Sequence, residues 1–239
     1  MSDVEREKRA LLTNSLLAAL VAALVVTILA GLLAIIWYAS ILGDSPRTEA
    51  ERRIAVYEVA VVEQPDAYES WTGLILAYVD VGRYADAESV FTQYSDESSE
   101  TAHPAVMIAH ADIAFVRDRF EESLKRYEAA RVVALELDEK SREENQARGI
   151  SFEKASAAVV SATIGMARSH ANLDAYTEAL DYYDLALELS PLAADILVER
   201  ARVHIALGES ADARADLERA IELDPFLEDA RSVLAELDS

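Results

Sequence analysis

The chain has no cysteine in 239 residues. That excludes disulfides, thiol catalysis and cysteine-based zinc sites in one step. It leaves the compartment open, because a helical domain needs no disulfide on either side of a membrane. Glycine and proline are scarce, at seven and five. A chain with so few breakers, rich in alanine and leucine, is expected to be all-helical with short turns. Basic charge is in deficit: 22 Lys and Arg face 44 Asp and Glu, for a net charge of -22. A surface this acidic repels phosphate backbones and anionic head groups, which excludes nucleic acid as a partner class.

The acidic excess is confined to one part of the chain. Arg6, Lys8 and Arg9 balance Asp3, Glu5 and Glu7, so the first 42 residues are neutral. No charged residue occurs between Arg9 and Asp44, and Leu16 to Tyr38 is a near-continuous apolar run. As a helix rising about 1.5 Å per residue, that run would span about 34 Å, slightly more than a bilayer core of about 30 Å. Trp37 and Tyr38 at its far end suit the membrane interface. A cleaved signal peptide is the rival, but the run is too long and Trp37 to Leu42 makes a poor cleavage site. The expectation is a transmembrane helix over 11–42 after an N-terminal tail at 1–10, with residues 16–38 in contact with lipid. Arg6, Lys8 and Arg9 on the near side are matched in number by Arg47, Arg52 and Arg53 on the far side. The near charges lie closer to the run, which favours a cytoplasmic amino terminus and an extracytoplasmic domain. The reverse topology, with a cytoplasmic domain, is the alternative.

Beyond the run, one pattern recurs. Trp71, Leu74, Tyr78, Gly82, Tyr84, Ala87 and Phe91 fall at fixed offsets from Tyr68. From Pro104 the same offsets give Met107, His110, Ala111, Ala114, Asp118, Phe120, Ser123, Tyr127 and Ala130. From Val160 they give Thr163, Met166, Ala167, His170, Asp174, Tyr176, Ala179, Tyr183, Ala186 and Pro191. From Ala194 they give Leu197, Arg200, Ala201, His204, Gly208, Ser210, Ala213, Leu217, Ala220 and Pro225. Small residues at recurrent places let two antiparallel helices cross closely, and large ones fill the gap to the next hairpin.

This pattern resembles the tetratricopeptide repeat, whose 34-residue motif carries these residue types at these positions. Tyr94 and Ser99 depart from it, standing where the family has alanine and proline. Tyr57, Ala60 and Pro65 continue the register upstream. The expected organisation is therefore a half repeat at 47–67, two repeats over 68–137, a charged insertion at 138–159, two further repeats over 160–227, and a capping helix at 228–239. The expected fold is all-α, one transmembrane helix followed by a repeat α-solenoid. The insertion is either an extended helical pair turning at Arg148–Gly149 or a protruding docking element.

No glycine-rich phosphate loop and no hydrolase or zinc-protease motif occurs, so neither catalytic activity, cofactor nor small-molecule substrate is expected. His170 and His204 share one repeat position. They are expected to be packed or half-exposed residues on the first helices rather than metal ligands.

The resemblance implies a concave surface lined by the first helices, where a peptide or partner helix binds. Position nine of the motif faces that surface, giving Leu76, Asp112, Arg168 and Arg202, with Asn172 close by. Arg168 and Arg202 are candidates to hold an acidic side chain or C-terminal carboxylate. Pairing with nearby carboxylates such as Glu199 or Asp195 is their ordinary alternative. The subset of the family that grips acidic chaperone tails uses a set of Lys, Asn and Arg that is missing here: Leu76, Ala109, Ser161 and Gly165 occupy several of those places. The expected function is a membrane-tethered scaffold or adaptor that binds a protein partner and helps assemble a membrane or envelope complex. The alternative is a permanent structural accessory subunit of a larger membrane complex.

Overall fold

The computed structural model describes residues 48–97, 102–149 and 155–238. Ten helices lie among them: α1 (Glu49–Glu63), α2 (Tyr68–Asp80), α3 (Tyr84–Glu97), α4 (Pro104–Phe115), α5 (Phe120–Ala147), α6 (Ala157–Asn172), α7 (Tyr176–Leu189), α8 (Ala194–Leu207), α9 (Ser210–Leu223) and α10 (Glu228–Leu237). Among these residues no helix is long and apolar enough to cross a membrane. The transmembrane helix expected over 11–42 lies outside the described residues. The chain divides into two compact units, 1–52 and 53–239. In the first, the Thr48 hydroxyl accepts the Glu51 amide (3.1 Å) while the Glu51 carboxylate accepts the Thr48 amide (2.9 Å), a reciprocal cap that starts α1.

The second unit is a stack of antiparallel hairpins, α2/α3, α4/α5, α6/α7 and α8/α9, closed by α10. Helices α2, α4 and α8 begin at Tyr68, Pro104 and Ala194, where the motif register begins. Helix α6 begins three residues ahead of Val160, because the Ser156 hydroxyl caps it by accepting the Val159 amide at 3.4 Å. Each hairpin turn needs one residue in the left-handed region, and the same motif position supplies it every time. Gly82 (φ 73°), Asp118 (φ 56°), Asp174 (φ 58°) and Gly208 (φ 79°) fill it. Aspartate is among the few side-chain-bearing residues that visit this conformation, which is why it can replace glycine twice.

The recurrent small residues sit where helices cross. Ala87, Ser123, Ala179 and Ala213 on the second helices, and Ala111, Ala167 and Ala201 on the first, are fully buried. Tyr94 breaks the small-residue rule for a visible reason: its hydroxyl accepts the His103 amide (3.1 Å) at the entrance to α4, and its ring tilts against Trp71. The core is a run of four clusters rather than one centre, from Ile54–Trp71–Val106, through Tyr127–Met166 and Tyr183–Ile196, to Leu197–Leu217–Ala230. Such a chain of clusters gains stability interface by interface.

The insertion has a definite form as far as it is described. Helix α5 runs on for 28 residues to Ala147 and ends in a turn at Arg148–Gly149, with Gly149 at φ 73°. The start of the extension packs back: the Asp138 carboxylate accepts the Ser156 amide at 2.7 Å.

Candidate functional site

First helices α2, α4 and α6 lie side by side. Their shared face, walled on one side by the extension of α5, forms an open cleft of about 710 Å³. That lies within the range of about 300–1,000 Å³ typical of binding sites. Leu76 and Asp112 both line it, together with Thr72, Ile108, Leu137 and Asp138. Leu76 is 38% exposed, an apolar side chain at the mouth of the cleft. The Tyr127 hydroxyl donates to the Asp112 carboxylate. Burial pushes that carboxyl above the ordinary aspartate range, against the opposing pull of Tyr127 and Arg168. The Thr72 hydroxyl is shut off from solvent and makes no hydrogen bond. Polar atoms in that condition are uncommon and costly.

The other three candidates fall in a second, smaller cleft of about 370 Å³ between the last two hairpins. There the arginines are already engaged. The Arg168 guanidinium grips Glu199 with two bonds, Nε to Oε2 at 2.8 Å and Nη2 to Oε1, and the Tyr183 hydroxyl donates to the same carboxylate at 3.0 Å. Arg202 donates to Asp229 at 2.5 Å, in a pair half exposed on both sides. The Asn172 amide caps the Arg168 carbonyl at 2.9 Å. Of the two alternatives for Arg168 and Arg202, pairing within the chain is the arrangement in the structure, Glu199 serving Arg168 and Asp229, not Asp195, serving Arg202. The structure thus brings Leu76 and Asp112 together, brings Arg168, Asn172 and Arg202 together, and separates the two groups into different clefts.

His170 and His204 are partly buried. His170 lies parallel to Tyr182 with centroids 5.3 Å apart, and His204 Nδ1 is 2.7 Å from Glu209. Their shared repeat position does not bring the two rings into one site. His110 stacks on Phe91 and meets Glu88 at 2.8 Å, with Arg126 donating to the same carboxylate at 3.1 Å. Burial first, then Arg126, holds the His110 imidazole below its usual pKa, while Glu88 pulls the other way. A base whose folded pKa lies below its unfolded value binds its proton first in the unfolded state. Stability is then present above the unfolded pKa near 6.5 and lost as pH falls through the folded pKa. Exchanging His110 for leucine, the residue type the motif has there, removes this loss. Between pH 7.5 and 5.5 the melting temperature of His110→Leu is expected to fall less than that of the wild type. Parallel curves would show that this imidazole does not couple to folding.

Sequence reasoning missed how successive hairpins key into each other. Tyr57 lies over Gly73, and Tyr127 over Gly165, each ring so close that a Cβ on the glycine would meet it at 2.3 and 2.5 Å. Both glycines fall at the sixth motif position, one hairpin after an aromatic at the twenty-fourth. At the next interface that sixth position is Glu199, and it receives Tyr183 by hydrogen bond instead. The signal that could have found this is the recurrence of glycine at one offset in two repeats.

Residues 164–228 match the tetratricopeptide repeat family. A protein SGT1 homolog of Oryza sativa subsp. japonica is 42% identical over 57 residues, which is 24% of this chain and 16% of that protein. Similarity to solved structures covers most of the chain at low identity. YrrB, described as a TPR protein with an unusual peptide-binding site, is 19% identical with a TM-score of 0.51, over 77% of this chain and 83% of its own. BtubC from P. vanneervenii is 20% identical with a TM-score of 0.56, over 75% of each chain. A tetratricopeptide repeat protein from Parabacteroides merdae is 18% identical with a TM-score of 0.56, over 80% of this chain and 65% of its own. These likenesses establish an all-α, tetratricopeptide-like solenoid.

Proposed function

We propose that the chain is a membrane-tethered scaffold that binds a segment of a partner protein in the cleft across α2, α4 and α6, and so helps assemble a membrane or envelope complex. The carrying observation is the cleft itself: an open, mostly apolar groove with Leu76 at its mouth, spanning three first helices. Proteins of this fold characteristically bind other proteins, and YrrB is described as having a peptide-binding site. The tether in this reading is the uncharged run between Arg9 and Asp44; the closeness of Arg6, Lys8 and Arg9 to it favours a helical domain on the extracytoplasmic side of a bacterial-type membrane, the cytoplasmic side being the alternative. Confinement to the membrane raises the effective concentration of the cleft for membrane-bound partners. The proposal contains no catalytic step.

One observation favours a second reading, a permanent accessory subunit. Val56, Val59 and Val62 form an apolar stripe on α1, with Val62 78% exposed. Photo-crosslinking in native membranes separates the two. A benzophenone amino acid at position 76 is expected to give a discrete protein adduct, and the same group at 62 none. An adduct from 62 alone would favour the accessory subunit. With no adduct from either position, the scaffold reading fails.

A further inference from the structure

Resting on that reading, we infer that the segment held in the α2/α4/α6 cleft carries a lysine or arginine beside an aliphatic residue, its cation meeting Asp112 and its apolar side chain meeting Leu76 and Ile108. The opposite polarity, an acidic ligand held by arginine, is what the position-nine arginines suggest in the sequence alone. Arg168 pairs with Glu199 and Arg202 with Asp229, and both arginines line the other cleft.

Within the α2/α4/α6 cleft the charge is of one sign. Among the described residues that line it, the charged ones are Asp112 on α4 and Asp138 on α5, and neither lysine nor arginine is among them. A carboxylate ligand entering there would be desolvated against two like charges, which costs far more than the surrounding apolar contacts return. For a cation the balance reverses. The Asp112 carboxylate is already largely stripped of water by the fold, and Tyr127 and Arg168 offset that only in part, so a guanidinium or ammonium adds to its compensation without a new desolvation of the carboxylate. Its Oδ1 is taken by Tyr127, which fixes the group in place. Leu76, Ile108 and Leu137 supply an aliphatic part of the lining that suits a leucine-sized side chain, beside the stacked rings of Tyr68 and His103 and the small Ser and Ala residues.

The test pans a phage library of random dodecapeptides against the full chain in detergent, then measures enriched peptides by fluorescence anisotropy at fixed ionic strength. Enriched sequences are expected to place Lys or Arg next to an aliphatic residue. Their affinity is expected to fall about tenfold with Asp112→Asn, in which Tyr127 can still donate to the amide oxygen. It is expected to fall at least as far with Leu76→Lys, which plants an ammonium in the cleft from an exposed position and so does not threaten the fold. Asp66→Asn removes the same charge from an exposed turn and is expected to leave affinity unchanged, which controls for attraction by the net charge of -22. Enrichment of acidic or uncharged peptides overturns the inference, as does an Asp66→Asn effect equal to that of Asp112→Asn, or no enrichment at all. Acidic peptides that still block crosslinking from position 76 would overturn the charge assignment and leave the scaffold reading standing. Peptides that bind without blocking it would overturn both.

Discussion

Replacing Arg200 by methionine is expected to cost about 3 kcal/mol, the range seen when one partner of a largely buried ion pair is removed. Arg200 occupies the seventh motif position, where the repeat has a leucine, and it faces inward. Its Nε and Nη2 donate to the two oxygens of Asp216 at 2.8 and 2.5 Å, and its Nη1 donates to Asp184 at 2.5 Å. The two carboxylates differ in burial, and that decides the effect. Asp184 is 59% exposed and water can replace the arginine there, so its loss is worth little. The Asp216 side chain is 9% exposed, and without Arg200 its nearest cationic candidate is His204 Nε2 at 3.9 Å, beyond hydrogen-bond reach. A charge left in that position must be resolvated or protonated, and either route lowers stability.

The loss is expected to appear first in α8, α9 and α10, since stability in a stack is held interface by interface. Amide hydrogen exchange should therefore speed up in those helices before the rest, with a melting temperature lower by about 6–12 °C. Arg200→Met with Asp216→Leu, an apolar replacement of the pair, should regain most of the loss. A single-variant cost below about 1 kcal/mol would class the pair with exposed ones.

Arg200 also marks the boundary of what the sequence makes legible. The motif positions can be read because each answers to one local demand: a small side chain where helices cross, a left-handed residue at the turn, an aromatic between hairpins. Those demands recur at the same offsets within each repeat, so four weak matches reinforce one another. Ion-pair partners answer to no such period. Arg200 and its two carboxylates are 16 residues apart in either direction along the chain, and Arg168 finds Glu199 across 31. Their pairing depends on how far one hairpin is rotated on the next, and no single residue specifies that rotation. For the same reason Leu76 and Asp112 could be placed on one inner face from the sequence, whereas the separation of Arg168 and Arg202 into another cleft could not. The wall that α5 gives the first cleft runs from Ala134 and Leu137 into Asp138 and Ser141, and so partly into the charged 138–159 stretch, which carries no repeat position to announce its packing.

Adding one methyl group at Gly165 is expected to destabilise the stack although α6 gains helix propensity. In an exposed helix, glycine to alanine returns about 1 kcal/mol. Here the new Cβ would lie 2.5 Å from Tyr127 Cε1 and 2.6 Å from both Cδ1 and Cζ. These are atoms of the ring body, on a side chain only 3% exposed, so the contact cannot be relieved by swinging a loose end into water. Overpacking of this kind typically costs about 1–3 kcal/mol. Moving the ring also lengthens the bond from its hydroxyl to Asp112, which strands a half-buried carboxylate at a further cost of about 1–3 kcal/mol. The penalties outweigh the propensity gain, and a net loss of about 2 kcal/mol is expected for Gly165→Ala by urea denaturation. In a Tyr127→Leu background the ring is gone, and the same substitution should become neutral or stabilising. That change of sign is the diagnostic, because a general intolerance of α6 to alanine would persist in both backgrounds. Gly73→Ala should cost less, since Tyr57 is only half-buried and a ring partly in solvent is displaced more easily than one that is enclosed. Equal losses at both glycines would mean that the ring's surroundings, rather than the clash itself, had been misjudged.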